Sequence, residues 1–229
     1  MKVIYRFLLV MSLSFMGVAC SHDNDELPSV TPEATGTMTD ARDGFTYHWV
    51  RYGGLDWTVE NSHFKTSEGT YGIYAQAGLI GDDNAEYDTR TVEKYGYLYN
   101  YDGVKEAAPE GWRVPTDEDW KKLEKALGMS ADDAEGLEWR GSNEGTLMHS
   151  GYSGLNMLYA GYYTYTTTSY GSAYRLISAY GFYWTSTEGT AKGGDYAYYR
   201  KLFYNYGGVF RYSCQKKNML SVRFVRDAK

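Results

Sequence analysis

The chain is poor in cysteine and histidine, and each shortage excludes something. Its two cysteines, Cys20 and Cys214, cannot build a disulfide framework or a cysteine-based zinc site. Its four histidines, His22, His48, His63 and His149, stand far apart, and none belongs to an H-E-x-x-H pair, so zincin chemistry lacks its ligands. There is no phosphate-cradling G-x-x-x-x-G-K-[ST] and no G-x-S-x-G nucleophile elbow; Gly151-Tyr152-Ser153-Gly154 falls short of the latter. Carboxylates are plentiful, but nothing in their spacing nominates a glycosidase pair. Basic residues are outnumbered, with 23 Lys and Arg against 29 Asp and Glu. That balance argues against nucleic acid, which rewards basic patches, and against electrostatic docking on anionic lipid. No apolar run reaches the roughly 20 residues of a membrane-spanning helix.

What the chain does have begins at its N-terminus. Lys2 and Arg6 precede the apolar stretch Phe7-Leu8-Leu9-Val10-Met11, which runs on to Gly17-Val18-Ala19-Cys20. A charged region, an apolar region and small residues before a cleavage point read as a secretory signal over residues 1–19. Small residues at 17 and 19 with a cysteine directly after them resemble a bacterial lipobox, in which the thiol receives a diacylglycerol. Cys20 is therefore the expected lipidation site, and the membrane is reached through its acyl chains. Removing residues 1–19 moves the formal net charge from −6 to −8, because Lys2 and Arg6 leave and no acid does. Residues 20–37 read as the lipidated cysteine and a polar, acidic tether that cannot bury a core. An acidic run directly after the cysteine resembles the surface-export signal of Bacteroidota lipoproteins, so the expected location is the outer membrane, facing outwards.

The remainder, 38–229, is expected to form one domain with structure from near residue 43. Phe45 to Tyr52 and Leu55 to Asn61 carry strand residues on either side of Gly53-Gly54, which predicts a hairpin. Residues 62–94 read as irregular, and 103–108 as one or two helical turns. The clearest helix starts at Thr116, an N-cap with Asp119 three residues on, as in a capping box. Trp120, Leu123 and Leu127 share its apolar face, Lys121, Lys122 and Lys125 fall largely off it, and Gly128 ends it. Residues 129–180 make a loop region longer than a compact domain tolerates, so function or hidden strands belong there. Near the C-terminus, Tyr198 to Asn205 predicts a strand, Gly207-Gly208 a turn and Val209 to Tyr212 the return. Leu220, Val222 and Phe224 alternate with Ser221 and Arg223, which predicts a last strand with one buried face.

Four stretches, in order, resemble one family. They are Asp43-Gly44 through Trp57-Thr58-Val59-Glu60-Asn61; Gly96 to Tyr101 running into Pro109-Glu110-Gly111-Trp112-Arg113-Val114-Pro115-Thr116 and on to Trp120; Gly181-Phe182-Tyr183-Trp184-Thr185-Ser186-Thr187-Glu188; and Ala197 to Arg200 with Val209-Phe210-Arg211 and Ser221 to Asp227. Together they resemble the Fibrobacter succinogenes major paralogous domain, a module of Bacteroidota lipoproteins. Its G-W-x-x-P-T-x-x-x-W and W-[ST]-S-T-E stretches look like those of C-type-lectin-like folds, including formylglycine-generating enzymes. The resemblance implies an α+β, C-type-lectin-like fold with a small twisted antiparallel sheet, one or two helices and long loops. It carries no established activity. Phe224 stands where the family often has a cysteine, which removes that partner for Cys214. The cysteine pair used by formylglycine-generating enzymes is likewise absent.

Two sets of residues remain as site candidates. Asp82, Asn84, Glu86, Asp88 and Glu93 have the offsets of a calcium loop, but Tyr87 occupies the position that needs glycine, so a solvated acidic loop competes with a calcium site. The E-P-N and W-N-D motifs of calcium-dependent lectins are absent. The span 151–184 holds nine tyrosines. Of these, Tyr159, Tyr162, Tyr163, Tyr165, Tyr170 and Tyr174 could stack on sugar rings or meet a protein partner, or be strand and core residues. Trp57, Trp112, Trp120 and Trp184 read as core, and Arg200, Arg211 and Arg223 as ion-pair partners on a sheet face. The expected function is a non-catalytic binding module of the cell envelope, for glycan or protein. The alternatives are an envelope assembly subunit and, with no signature behind it, a hydrolase or modifying enzyme.

Overall fold

The computed structural model describes residues 27–28, 30–74, 85–168, 171–190 and 193–229, with side chains left out for 85–89. Cys20 lies outside them. Antiparallel sheets and five short helices make this an α+β fold. The first sheet has the order β1 (Thr35–Thr39), β2 (Thr46–Tyr52), β3 (Leu55–Thr58) and β12 (Val225–Asp227), so the last strand closes a sheet begun by the first three. The β2–β3 hairpin turns on Gly53 and Gly54, whose φ values of 59° and 74° are the left-handed pair that a two-residue turn requires. β1 begins inside the expected tether, and Leu27 and Val30 pack against the core, so order starts well before residue 43.

The second sheet has the order β6 (Glu138–Arg140), β11 (Tyr206–Gln215), β10 (Tyr196–Phe203) and β9 (Tyr180–Glu188). Two small ribbons, β4 (Tyr71–Gly72) with β5 (Leu98–Tyr99) and β7 (Tyr162–Thr164) with β8 (Ala173–Arg175), flank the two main sheets. The long region 129–180 thus holds α4 (Ala131–Glu135), β6, α5 (Glu144–His149), β7 and β8. Residues 62–94, expected to be irregular, include β4 and most of α1 (Ala85–Tyr95), and α2 (Tyr101–Ala107) falls where one or two helical turns were predicted.

Gly207-Gly208 is not a turn. β10 and β11 meet at Tyr204-Asn205, and both glycines lie within β11. Their role is close approach: a Cβ on Gly207 would run into the Ser142 carbonyl, and one on Gly145 of α5 would run into the Gly208 carbonyl. Gly207→Ala is expected to destabilise the fold by ~1–3 kcal/mol, read as a lowered urea midpoint at unchanged m.

The C-terminal run 219–225 threads between the sheets. Its backbone bridges Tyr163, Tyr99, Tyr183 and Arg113 before β12 joins β3. Every residue from Leu220 to Val225 is buried, so the expected polar face does not exist. Alternation fails because both sides of this segment are covered.

α3 (Asp117–Ala126) forms as its sequence dictates. Thr116 accepts from the Asp119 N–H, the Asp119 carboxylate accepts from the Thr116 N–H, and Gly128 beyond the cap has φ 116°. Trp120, Leu123 and Leu127 are buried against Trp57, Tyr183, Leu202 and Val209. Lys121, expected off that face, is also buried; α4 folds back so that Glu135, with Glu118, meets its ammonium. Four carboxylates (Asp117, Glu118, Glu124, Glu135) and four cations (Lys121, Arg140, Arg200, Arg211) form one network beneath the second sheet. Arg200 bridges Asp117 at 2.6 Å and Glu124 at 2.7 Å, and Arg211 holds Asp117 at 2.7 Å. Arg200 and Arg211 are thus ion-pair partners as expected, but Arg223 is not: it is buried among backbone carbonyls.

Candidate functional site: an aromatic sheet face

Strand alternation gives the second sheet two different faces. One carries Arg200, Leu202, Val209 and Arg211 against α3. The opposite parity is almost entirely aromatic. In register across four strands lie Trp139 (β6), Phe210 (β11), Lys201 (β10) and Phe182 (β9). One row away, Tyr212, Tyr199 and Trp184 pair across β11, β10 and β9, and on the other side Phe203 pairs with both Tyr206 and Tyr180. With strands about 4.8 Å apart, four of them give a platform roughly 15 Å wide.

The rings touch continuously. Trp139 lies 5.3 Å from Phe210 and 4.9 Å from Tyr206, centroid to centroid. Phe182 lies 6.0 Å from both Tyr199 and Tyr180, and Tyr180 stacks on Phe203 at 4.4 Å. Tyr206 and Tyr212 are exposed, and Trp139, Tyr199, Phe203 and Phe210 are half-buried, so their edges and faces reach solvent. Lys201 is the cation in the middle: its Nζ lies 3.7 Å from the Phe210 centroid and 5.0 Å from that of Trp139. Burial lowers the Lys201 pKa, against a smaller opposite pull from Glu138.

A cleft of about 380 Å³ opens where the β7–β8 ribbon rises beside this face. Tyr162, Leu176 and Asn218 form one wall, and Tyr180, Tyr199 and Lys201 belong to the platform. Burial pushes the Tyr199 phenol well up, so it stays neutral. Cys214 also lines the cleft; burial raises its thiol to about 12, which leaves it a protonated, unreactive group at neutral pH. Backbone strain sits at both ends of the platform. Glu138, beside Trp139, has φ 65°, and Leu176, on the cleft wall, has φ 66°. A bulky residue held in the left-handed region costs about 1–3 kcal/mol and persists where its surroundings enforce it.

The tyrosines singled out from the sequence do not form one surface. Tyr162 alone reaches the cleft, 4.4 Å from Phe182. Tyr163 and Tyr174 pair with each other at 4.9 Å, and Tyr74 lies 5.5 Å from Tyr174. Tyr159 stacks on His149 at 3.8 Å, and Tyr165 lies beneath Lys217. Tyr170 lies outside the described residues. So do Asp82 and Asn84, whereas Glu86, Asp88 and Glu93 lie on α1 rather than in a loop. Among the described residues no group of three or more His, Cys, Asp or Glu is placed to hold a metal ion. Trp57, Trp120 and Trp184 are fully buried; Trp112 is half-exposed, with the Arg226 guanidinium 4.6 Å from its ring.

No motif in the sequence marks the platform residues, but one signal points to them. Positions 199, 201 and 203, and then 210 and 212, keep the parity opposite to Arg200 and Arg211 and are all aromatic but one. The family model described as the Fibrobacter succinogenes major domain matches residues 50–226, which includes both main sheets except β1, the start of β2 and the last residue of β12. No curated protein and no solved structure matches the chain. With that match spanning most of its length, the chain belongs to the Fibrobacter succinogenes major domain family.

Proposed function

We propose that this protein is a non-catalytic glycan-binding module, held at the cell envelope by lipid on Cys20, and that the aromatic sheet face is its recognition surface. The observation that carries the reading is the in-register row Trp139–Phe210–Lys201–Phe182 with tyrosines on either side. Sugar rings present flat C–H faces, and rigid aromatic rings match them at low entropic cost. Phe182 and Trp184 on the β9 side are buried, but the rest of the face, with Tyr206 and Tyr212 exposed and Trp139, Phe203 and Phe210 half-buried, is an open apolar surface that calls for a partner. No carboxylate, histidine or serine is among the described residues lining the cleft, which favours binding over hydrolysis. The membrane link rests on the signal-like residues 1–20, and among the described residues no helix is long and apolar enough to cross a membrane. A C-type-lectin-like fold fits the closing of the first sheet by β12 and the small elements scattered along 129–180. The assembly-subunit reading draws on the same face, through exposed Tyr206 and Tyr212, and on exposed Tyr204 in the turn beside it.

The test is a glycan array probed with the full-length chain and its variants. Trp139→Ala, Tyr162→Ala and Tyr212→Ala should each weaken binding at least about tenfold with melting temperature nearly unchanged. Tyr165→Ala and Tyr163→Ala should leave it intact. Binding lost with the latter pair instead would place the site on the β7–β8 ribbon. A blank array, with envelope proteins retained on the wild-type face, would favour assembly.

A further inference from the structure

Given that the aromatic face binds glycan, we infer that it takes acidic saccharides, carboxylated or sulfated, and that Lys201 selects the charge. Lys201 is the one charged residue among the described residues that line the cleft. Its ammonium is surrounded by rings: Phe210 at 3.7 Å, Trp139 at 5.0 Å and Tyr180 at 5.9 Å. No carboxylate pairs with it and no oxygen accepts from it among the described residues, in contrast to Arg200, Arg211 and Lys121 on the other side of the sheet. Aromatic faces stabilise the cation without accepting its N–H groups as an oxygen would, so those three donors are left to water.

The consequence follows from desolvation. A sugar that stacks on Trp139, Phe210 and Tyr199 strips water from the half-buried ammonium between them. The arriving molecule must then supply the acceptor, or an unsatisfied cation is left under the sugar. A hydroxyl meets that need weakly; a carboxylate or sulfate meets it with a charge-assisted hydrogen bond about twice as strong. The selectivity is local. The chain as a whole is acidic, at formal net charge −6, and its general field opposes anions rather than gathering them. One central cation in an otherwise uncharged row therefore reads a single anionic group at a fixed position, not a highly charged polymer at large.

The experiment measures affinities of the full-length chain for matched pairs that differ only in charge: oligogalacturonate and its methyl ester, sialyllactose and lactose, a heparin fragment and its desulfated form. In at least one pair the acidic member should bind about tenfold more tightly or better, and added salt should weaken that member alone. Lys201→Met should bring the acidic member down to the level of its neutral counterpart, and Lys201→Arg should keep most of the preference. The salt series uses the unaltered protein, so it stands even if the Met variant folds poorly. Equal affinity within every pair, or a preference that survives Lys201→Met in a folded protein, overturns the charge assignment and leaves the glycan reading standing. No binding to any member, acidic or neutral, overturns both.

Discussion

Asp117→Asn is expected to destabilise the protein by ~3–5 kcal/mol, a large part of the ~5–15 kcal/mol that holds a domain of this kind together. The change keeps the shape of the side chain and removes its charge. Asp117 opens α3 and accepts from Arg200 and Arg211, both buried beneath the second sheet. With an amide in its place, Arg211 keeps its desolvation and loses its paired carboxylate, and Arg200 is left with Glu124 alone. Glu118→Gln serves as the control, because the Glu118 side chain is 69 % exposed; its loss should stay within about 0.5 kcal/mol. The pH dependence has a definite sign. Burial raises the Asp117 pKa, but hydrogen bonds and charge from Arg211 and Arg200 outweigh it and bring the group from 3.8 down to about 2. A depressed carboxylate contributes stability above its unfolded value and loses it as pH falls through the folded one. The wild-type excess over Asp117→Asn in urea unfolding should therefore be constant above pH ~5 and shrink by about 2 kcal/mol towards pH ~2. An excess that does not change with pH would show that Asp117 titrates normally in the folded state.

Arg223→Met is expected to lower stability by at least ~3 kcal/mol, measured by the same urea unfolding. Arg223 is fully buried. Its Nε donates to Asn61 Oδ1 at 2.6 Å, and its two terminal nitrogens donate to the carbonyls of Thr58, Val59, Leu155 and Asn156. No carboxylate pairs with it among the described residues, and burial holds its pKa below the usual arginine value. Here a cation serves as a multi-point clamp that ties the end of β3 to the 155–156 loop and the C-terminal run. Methionine fills much of the volume and leaves every one of those acceptors without its donor. Arg223→Lys should recover little of the loss, because one ammonium cannot reach acceptors arranged around a planar fork. Stability within ~1 kcal/mol of wild type for Arg223→Met would mean that water or a shifted backbone satisfies those carbonyls.

Sequence and structure agree where the determinants are local. Thr116 and Asp119 lie three residues apart and make both capping bonds, and Gly53-Gly54 provides the two left-handed residues of the first hairpin. The misreadings arise where partners are distant in sequence. Gly207 and Gly208 look like punctuation, yet they are small because the end of β6 and the loop that leads into α5 press on β11. The actual turn, Tyr204-Asn205, has no positive-φ residue and hence no glycine signal. Lys121 and Arg223 look like solvated or paired surface charges until α4 and the 155–156 loop close over them. The tyrosine count in 151–184 drew attention to the β7–β8 ribbon, where the side chains mostly pack on one another. The aromatic face is encoded instead in the parity of β10 and β11. Alternation tells which residues share a face, but which of two faces is covered depends on where α3 docks, and that is set by Asp117 and Glu124 meeting Arg200 and Arg211 from the other side.

If the aromatic face of the second sheet binds glycan, the six tryptophan indole N–H signals in a nitrogen-15 spectrum, recorded with and without an array-selected oligosaccharide, will report it. Trp139 is the tryptophan at the open edge of that face, Trp57, Trp120 and Trp184 are fully buried, and Trp49 and Trp112 lie together around Arg226, on the first sheet and beside it. The Trp139 signal should shift on titration, and the other five should hold still. A titration that moves Trp49 or Trp112 and leaves Trp139 in place would contradict the assignment and put the binding surface at the first sheet.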